Sequence, residues 1–505
     1  MLKLFGGGKS DHPMATIKEA RDILEAVPAN DPHKALEELA HWHESVRAAE
    51  GFKPEYRAQL VQMIDDGAQA HARRLAREYL STRLSKFQEG RIRGAILQYW
   101  GQAVLAFGAC LDLYAGGAKG ADALKQIAPL LAARALRALA AQMKWLYVRY
   151  GPLDSALWAQ AGKILLFAEA RKFSKSKVTV YPGVPGESTP EEEFLRAVML
   201  SVSSPDGLLP VEMELAERVI VHFSAHFDLA AERQPDTAYW VDLAAGVPPQ
   251  RLARAPQAAP GVRYVSASRA AREIEQLIQR VKSANAVPSD LALGATYAPD
   301  VVIGVLEHLA MYWSPRLPER QATRHKVKSR LTVAHGFDGV LGMLEPSSSL
   351  DFEAGATESW IVDNVSTGGF GAVVPEIKGD WLKIGCLLAM QPEGGNNWLI
   401  GVIRRFSRES QQQGMVGIQT LAKSAHVIPV RIAAVSDTGI LLDPLAQSTR
   451  SETYVLLRAG AMIEGRNIET EVDGRNLLLL PAGVADTGDD YERWRFKQMV
   501  REAGE

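Results

Sequence analysis

The residues with the clearest potential for chemistry fall in two short segments. Between Arg316 and Arg330 the chain places Arg316, Arg320, Arg324, Lys326, Lys328 and Arg330 against a single acid, Glu319. A planar guanidinium pairs bidentately with phosphate oxygens or with the O6/N7 edge of guanine, and its face stacks on a base. Two arginines four apart just before a strand are placed to close on one anionic, planar ligand from the same side. The second segment is Asn364-Val365-Ser366-Thr367-Gly368-Gly369, a turn between two β-like runs. Asn and Ser offer hydrogen-bonding groups, and paired glycines let a ligand approach the backbone closely. Taken singly, a basic run is more often a solvated face and a glycine turn an ordinary hairpin.

Other candidates carry less. Gly6-Gly7-Gly8-Lys9-Ser10 is like the end of a phosphate-binding loop, but Lys3 stands where that motif needs its first glycine. His222 and His226 are spaced as helical metal ligands, yet no Glu follows the first His, and Phe223 and Phe227 suggest an aromatic packing face. His41 and His43 lie two apart on a helical pattern and point away from each other. No Ser/His/Asp or Cys/His arrangement stands out, so a binding protein is expected rather than an enzyme, with no metal and no cofactor.

These segments must be positioned by the elements around them. A chain of 505 residues exceeds what one core organises, so several domains are expected. Its 47% hydrophobic and 23% charged residues are those of a globular protein, and a net charge of -2 leaves any electrostatic function to local patches. Cys110 and Cys386 are too few for a disulfide framework and fit a reducing compartment. With no apolar run of the ~18 residues that a membrane helix needs, a cytoplasmic location is expected.

Apolar residues recur at helical spacing from about residue 15 to 173, so a helical domain is expected over 1–173, as an antiparallel bundle or a helical-pair solenoid. Over 174–315 a second, mostly helical lobe follows, opened by a capping box at Thr189-Pro190-Glu191-Glu192 and including short β-like runs at Tyr239-Trp240-Val241 and Val262-Arg263-Tyr264-Val265. After Arg330 the period becomes two. Runs at 331–334, 360–362, 372–374, 384–388, 398–403 and 416–418 predict a small antiparallel barrel or sandwich over 316–425. A further β unit over 426–505 follows, with Asp473-Gly474 as a two-residue hairpin turn.

In this order and setting, Arg320-Gln321-Ala322-Thr323-Arg324 and Asn364 through Gly369 resemble the RxxxR and [D/N]xSxxG signature of the PilZ family. The resemblance continues through Trp398 to Arg405 and Gly414 to Gln419. It implies a six-stranded barrel that binds cyclic di-GMP, with Arg320 and Arg324 on phosphates and guanine edges, and Asn364, Ser366, Gly368 and Gly369 receiving a guanine. Arg316 and Arg320 form an overlapping pair, but Arg316 lies further from the first strand and encloses Pro318. The stretch from Arg324 to Asn364 is longer than the family's, through a loop near Pro346 to Gly355. The implied function is a cyclic di-GMP effector whose helical region relays the signal to a protein partner in control of pili, motility or exopolysaccharide. The alternative is an interaction scaffold whose barrel has lost the nucleotide.

Overall fold

The computed structural model describes residues 11–500, apart from 83, 254–258, 317–322, 346–356, 411, 434, 444–451, 464 and 473. They form two compact units: Met1–Arg149, Leu153–Pro205 and Pro210–Pro318 in one, and Tyr150–Pro152, Asp206–Leu209 and Glu319–Glu505 in the other. Residues on both sides of position 174 thus share the first unit, and the two β regions share the second.

The first unit is built on α1 (Ile17–Glu25), α2 (Pro32–Ala48), α3 (Pro54–Ser81), α4 (Lys86–Ala115), α5 (Ala128–Tyr147), α6 (Ser155–Ala170), α7 (Pro190–Val202), α8 (Pro210–His222), α9 (Ser268–Ala284) and α10 (Pro299–Trp313). Local chemistry sets the helix starts. Asp31 accepts from the Lys34 amide with Pro32 in the first turn, and Ser85 and Gln88 close a capping box on α4. At α7 only half of the expected box forms: Thr189 accepts from the Glu192 amide, while the Glu192 carboxylate takes the Ser188 hydroxyl. By length and composition α4 could cross a membrane, but Ile96, Tyr99, Ala103 and Phe107 are fully buried, and it packs against α2, α3 and α5. It is the core helix of this unit. A four-stranded antiparallel sheet, ordered β1 (Asp228–Ala230), β4 (Val262–Ser266), β2 (Tyr239–Asp242), β3 (Gln250–Arg251), completes it. Helix α8 ends at His222, which leaves His226 in a separate turn, while Phe223 and Phe227 pack edge-on against Trp313.

The second unit holds two closed antiparallel barrels of six strands each. The first contains β5 (His325–His335), β6 (Glu358–Ser366), β7 (Gly369–Val374), β8 (Leu387–Pro392), β9 (Leu399–Arg408) and β10 (Gly414–Ala422). The second contains β11 (Ala425–Ile432), β12 (Val435–Leu442), β13 (Glu452–Arg458), β14 (Ile468–Val472), β15 (Arg475–Thr487) and β16 (Tyr491–Val500). Val472 pairs with Arg475, so the tight hairpin stands where it was expected, although Asp473 itself lies outside the described residues. Strand β8 begins three residues later than the apolar run from Ile384 suggests.

Leu331, Val333, Trp360, Val362, Ile403 and Phe406 fill the first barrel. A separate core joins the two barrels, with Leu387, Ala389, Ile400 and Val402 of β8 and β9 packed with Ile440, Leu442, Leu456 and Tyr491. Phe337 and Val340 enter it from α11 (Gly336–Leu344), a helix that the sequence reading did not expect in the long β5–β6 connection. The Phe337 amide at its start donates to Asp490 of the second barrel at 2.7 Å.

Candidate ligand-binding site

Strand register determines what the outer face of the first barrel presents. Val362 opposite Ala372 faces the core, but Asp363 is skipped in the β6–β7 pairing, and Asn364 pairs with Gly371. Such a bulge reverses the facing of the residues beyond it. Asn364 and Ser366 therefore turn to the outer surface. Across the strands the row through Asn364 reads Lys326, Asn364, Gly371, Gly417, Arg405, from β5 through β6, β7 and β10 to β9. The two central positions have no side chain. Gly371 lies beneath the Asn364 carboxamide, while Gly417 leaves a low stretch of backbone beside the Arg405 stem that borders the cavity described below, a floor against which a planar ligand can lie.

The turn between β6 and β7 is tightly held. The Ser366 hydroxyl donates to the Gly369 carbonyl at 3.3 Å, and the Thr420 amide donates to the Gly368 carbonyl at 3.0 Å. A Cβ on Gly369 would collide with the Ile418 carbonyl, so only glycine lets β7 start this close to β10. Here the glycine pair meets a packing requirement as well as leaving room for a ligand.

A cavity of 320 Å³ opens over this turn, lined by Arg324, Ser366, Gly368, Gly369 and Phe370, and by Arg404, Arg405 and Gln419 on the far strands. His325 pairs with Val365, so Arg324, one step earlier, is level with Ser366. The structure therefore brings together Arg324, Ser366, Gly368 and Gly369 of the expected residues. Asn364 stands outside the cavity walls: its carboxamide lies over Gly371 and donates to Asp363 at 2.9 Å. Arg320 lies outside the described residues.

Arg404 and Arg405 are the residues that sequence reasoning missed. Neighbours on a strand ordinarily point to opposite faces. Gly417 pairs with Arg405 and Ile418 with Ile403, which makes Arg404 an extra, bulged residue and lets both arginines line the same cavity. The available signal was an Arg-Arg pair ending an otherwise apolar strand. Arg404 is oriented by its neighbours: its Nε donates to Gln419 Oε1 at 2.8 Å, and its Nη1 and Nη2 reach Asp486 of β15. The cavity thus gathers three guanidinium groups, a hydroxyl and exposed backbone beside a flat floor. That combination suits a phosphate-bearing ligand with a planar base.

The helical unit has a larger cavity of 760 Å³ walled by α3, α5, α7 and α8, in which several cations and carboxylates pair with one another. Arg137 and Arg196 grip Glu193, and Lys144 bridges Glu214 and Glu217. Burial pushes the Glu193 carboxyl up, but the two arginines more than offset this and hold it at about 2.

Residues 18–235, within the helical half of the chain, match the family model described as the N-terminal domain of the cyclic-di-GMP receptor FimW. No curated protein matches the chain.

Proposed function

We propose that this chain is a cyclic di-GMP receptor, with the nucleotide seated on the outer face of the first barrel. The observation that carries the reading is the convergence of Arg324, Ser366, Gly368 and Gly369 in one cavity with Arg404 and Arg405 opposite. A cyclic dinucleotide has two phosphates for the guanidinium groups and planar guanines for the glycine floor. Support also comes from a region that does not share these residues: positions 18–235 are similar to a domain of a protein described as a receptor for the same nucleotide. The RxxxR and [D/N]xSxxG resemblance to the PilZ family adds the expectation that Arg320 joins Arg324 on the ligand.

In this role the protein is an effector and not an enzyme, acts in the cytoplasm, and passes the signal through its helical unit to a protein partner. Surface behaviour such as pilus function or motility is the output that the PilZ resemblance suggests. Ligand binding biases whichever arrangement it contacts best, so relay requires different nucleotide contacts in the two states. Titration calorimetry of the full chain with cyclic di-GMP tests the receptor reading. Saturable binding is expected, largely lost in Arg320→Ala and in Arg324→Ala. Absence of binding by the unaltered chain, or affinity untouched by both substitutions, refutes it.

A further inference from the structure

A carboxylate of the second barrel, Asp486, reaches the proposed nucleotide site. Asp486 near the end of β15 meets Arg404 with both oxygens, and the turn that follows supplies two more acidic contacts to the first barrel. Asp489 pairs with Lys383, and Asp490 accepts the Phe337 amide at the start of α11. Within five residues, three aspartates hold β15 and its turn against the first barrel. Only the contact made by Asp486 involves a residue that lines the cavity.

The two partners differ in exposure. The Asp486 side chain is 13% exposed, whereas that of Arg404 is 39% exposed and borders the cavity. A guanidinium presents five N–H donors in a fixed fork; here Nε donates to Gln419 and one N–H of each terminal nitrogen points to Asp486, which leaves two N–H bonds. A phosphate entering the cavity is drawn to the same guanidinium and repelled by the carboxylate beside it. That like-charge repulsion sets ligand and Asp486 in competition. We propose that Asp486 is a ligand-competitive latch, which occupies Arg404 in the free protein and yields it to a phosphate of cyclic di-GMP, thereby removing one of the three aspartate contacts that hold β15 and its turn against the first barrel. The inference rests on the receptor reading above and gives the second barrel a part in it: nucleotide occupancy changes how firmly β15 and the β15–β16 turn are held.

The test is a double-mutant cycle by titration calorimetry on the full chain with cyclic di-GMP, using Asp486→Asn, Arg404→Ala and the two combined. The amide keeps the size of the carboxylate and removes its charge. Asp486→Asn is expected to bind about 2- to 5-fold more tightly, the range of a partly exposed ion pair. Arg404→Ala is expected to bind about 10-fold more weakly, and adding Asp486→Asn to it to change nothing further. Amide hydrogen exchange over residues 486–491 of the unaltered chain should rise when nucleotide is added. Unchanged or weaker binding by Asp486→Asn, equal tightening in the absence of Arg404, or exchange that fails to rise each overturns the latch while leaving the receptor reading in place. If the unaltered chain binds no nucleotide, both fall together.

Discussion

The two barrels of the second unit share one cyclic connectivity. Numbering the strands of each barrel from one to six, one pairs with two, two with three, three with six, six with five, five with four, and four with one, antiparallel throughout. What separates them is the outer surface of strands two and three. In the first barrel these strands present Asn364, Ser366, Gly369 and Gly371. In the second, Ile440, Leu442 and Leu456 are buried against the first barrel, and Tyr454 lies beneath the Arg493 guanidinium. The same surface thus serves as a low, polar platform in one copy and as a packing interface in the other. The backbone supplies the platform, and presence or absence of side chains decides its use.

If that contrast holds, altering each barrel toward the other should have different consequences. The largest effect is expected at Leu456, which is fully buried in the core between the barrels. Leu456→Ala should lower the stability of this unit by about 2 to 5 kcal/mol, through lost transfer energy and an unfilled cavity, as read in denaturant unfolding. A negligible loss would mean that the second barrel's hydrophobic face contributes little to packing. The converse change fills the first barrel's floor. A Cβ at Gly417 would already touch the Arg405 side chain, so Gly417→Leu should cover the floor on which the nucleotide lies. Binding of cyclic di-GMP is expected to fall about 100-fold, the value of one or two lost base contacts, with the thermal midpoint little changed. Retained affinity would place the ligand elsewhere.

Next in size is Arg324→Ala, expected to weaken binding about 10- to 100-fold by loss of charge-assisted hydrogen bonds. The substitution should also reduce the dependence of affinity on salt, since an exposed guanidinium that binds phosphate is screened. A neutral competitor for the floor, such as guanosine, should be affected far less. If guanosine loses affinity to the same extent, Arg324 serves the base and not the phosphate.

The sequence and the structure agree on this site where the chemistry is local. Arg324, Ser366, Gly368 and Gly369 could be recognised because a turn and the start of a strand bring them together through nearest-neighbour pairing. Arg404 and Arg405 could not, because a bulge that is visible only in the β9–β10 register turns both to the cavity. Helix α11 was hidden for a similar reason: it is nine residues long, and the carboxylate at its start belongs to Asp490, 153 positions away. The joint core of the two barrels did leave a trace. Leu387-Leu388-Ala389-Met390 and Ile400-Gly401-Val402-Ile403 are continuous apolar runs, as expected of strands buried on both faces. Periodicity shows such burial but does not say what covers the second face. The shared connectivity of the barrels depends on pairings such as β13 with β16, which no local pattern encodes.

The smallest effect sharpens the boundary of the floor. Asn364 belongs to the polar row beside Gly371 but not to the cavity wall, and its amide already donates to Asp363. A residue in that position can offer its carbonyl oxygen to a guanine edge only from the rim, where water competes for the same bond. One neutral hydrogen bond of this kind contributes about 0.5 to 1.5 kcal/mol. Asn364→Ala is therefore expected to weaken cyclic di-GMP binding about 2- to 10-fold, less than Arg324→Ala, while Asn364→Asp should cost more because a second carboxylate beside Asp363 repels an anionic ligand. Equal losses at Asn364 and Arg324 would show that the bound nucleotide extends across the whole row from Arg405 to Lys326. A loss confined to Arg324 would limit it to the cavity over the Ser366 turn.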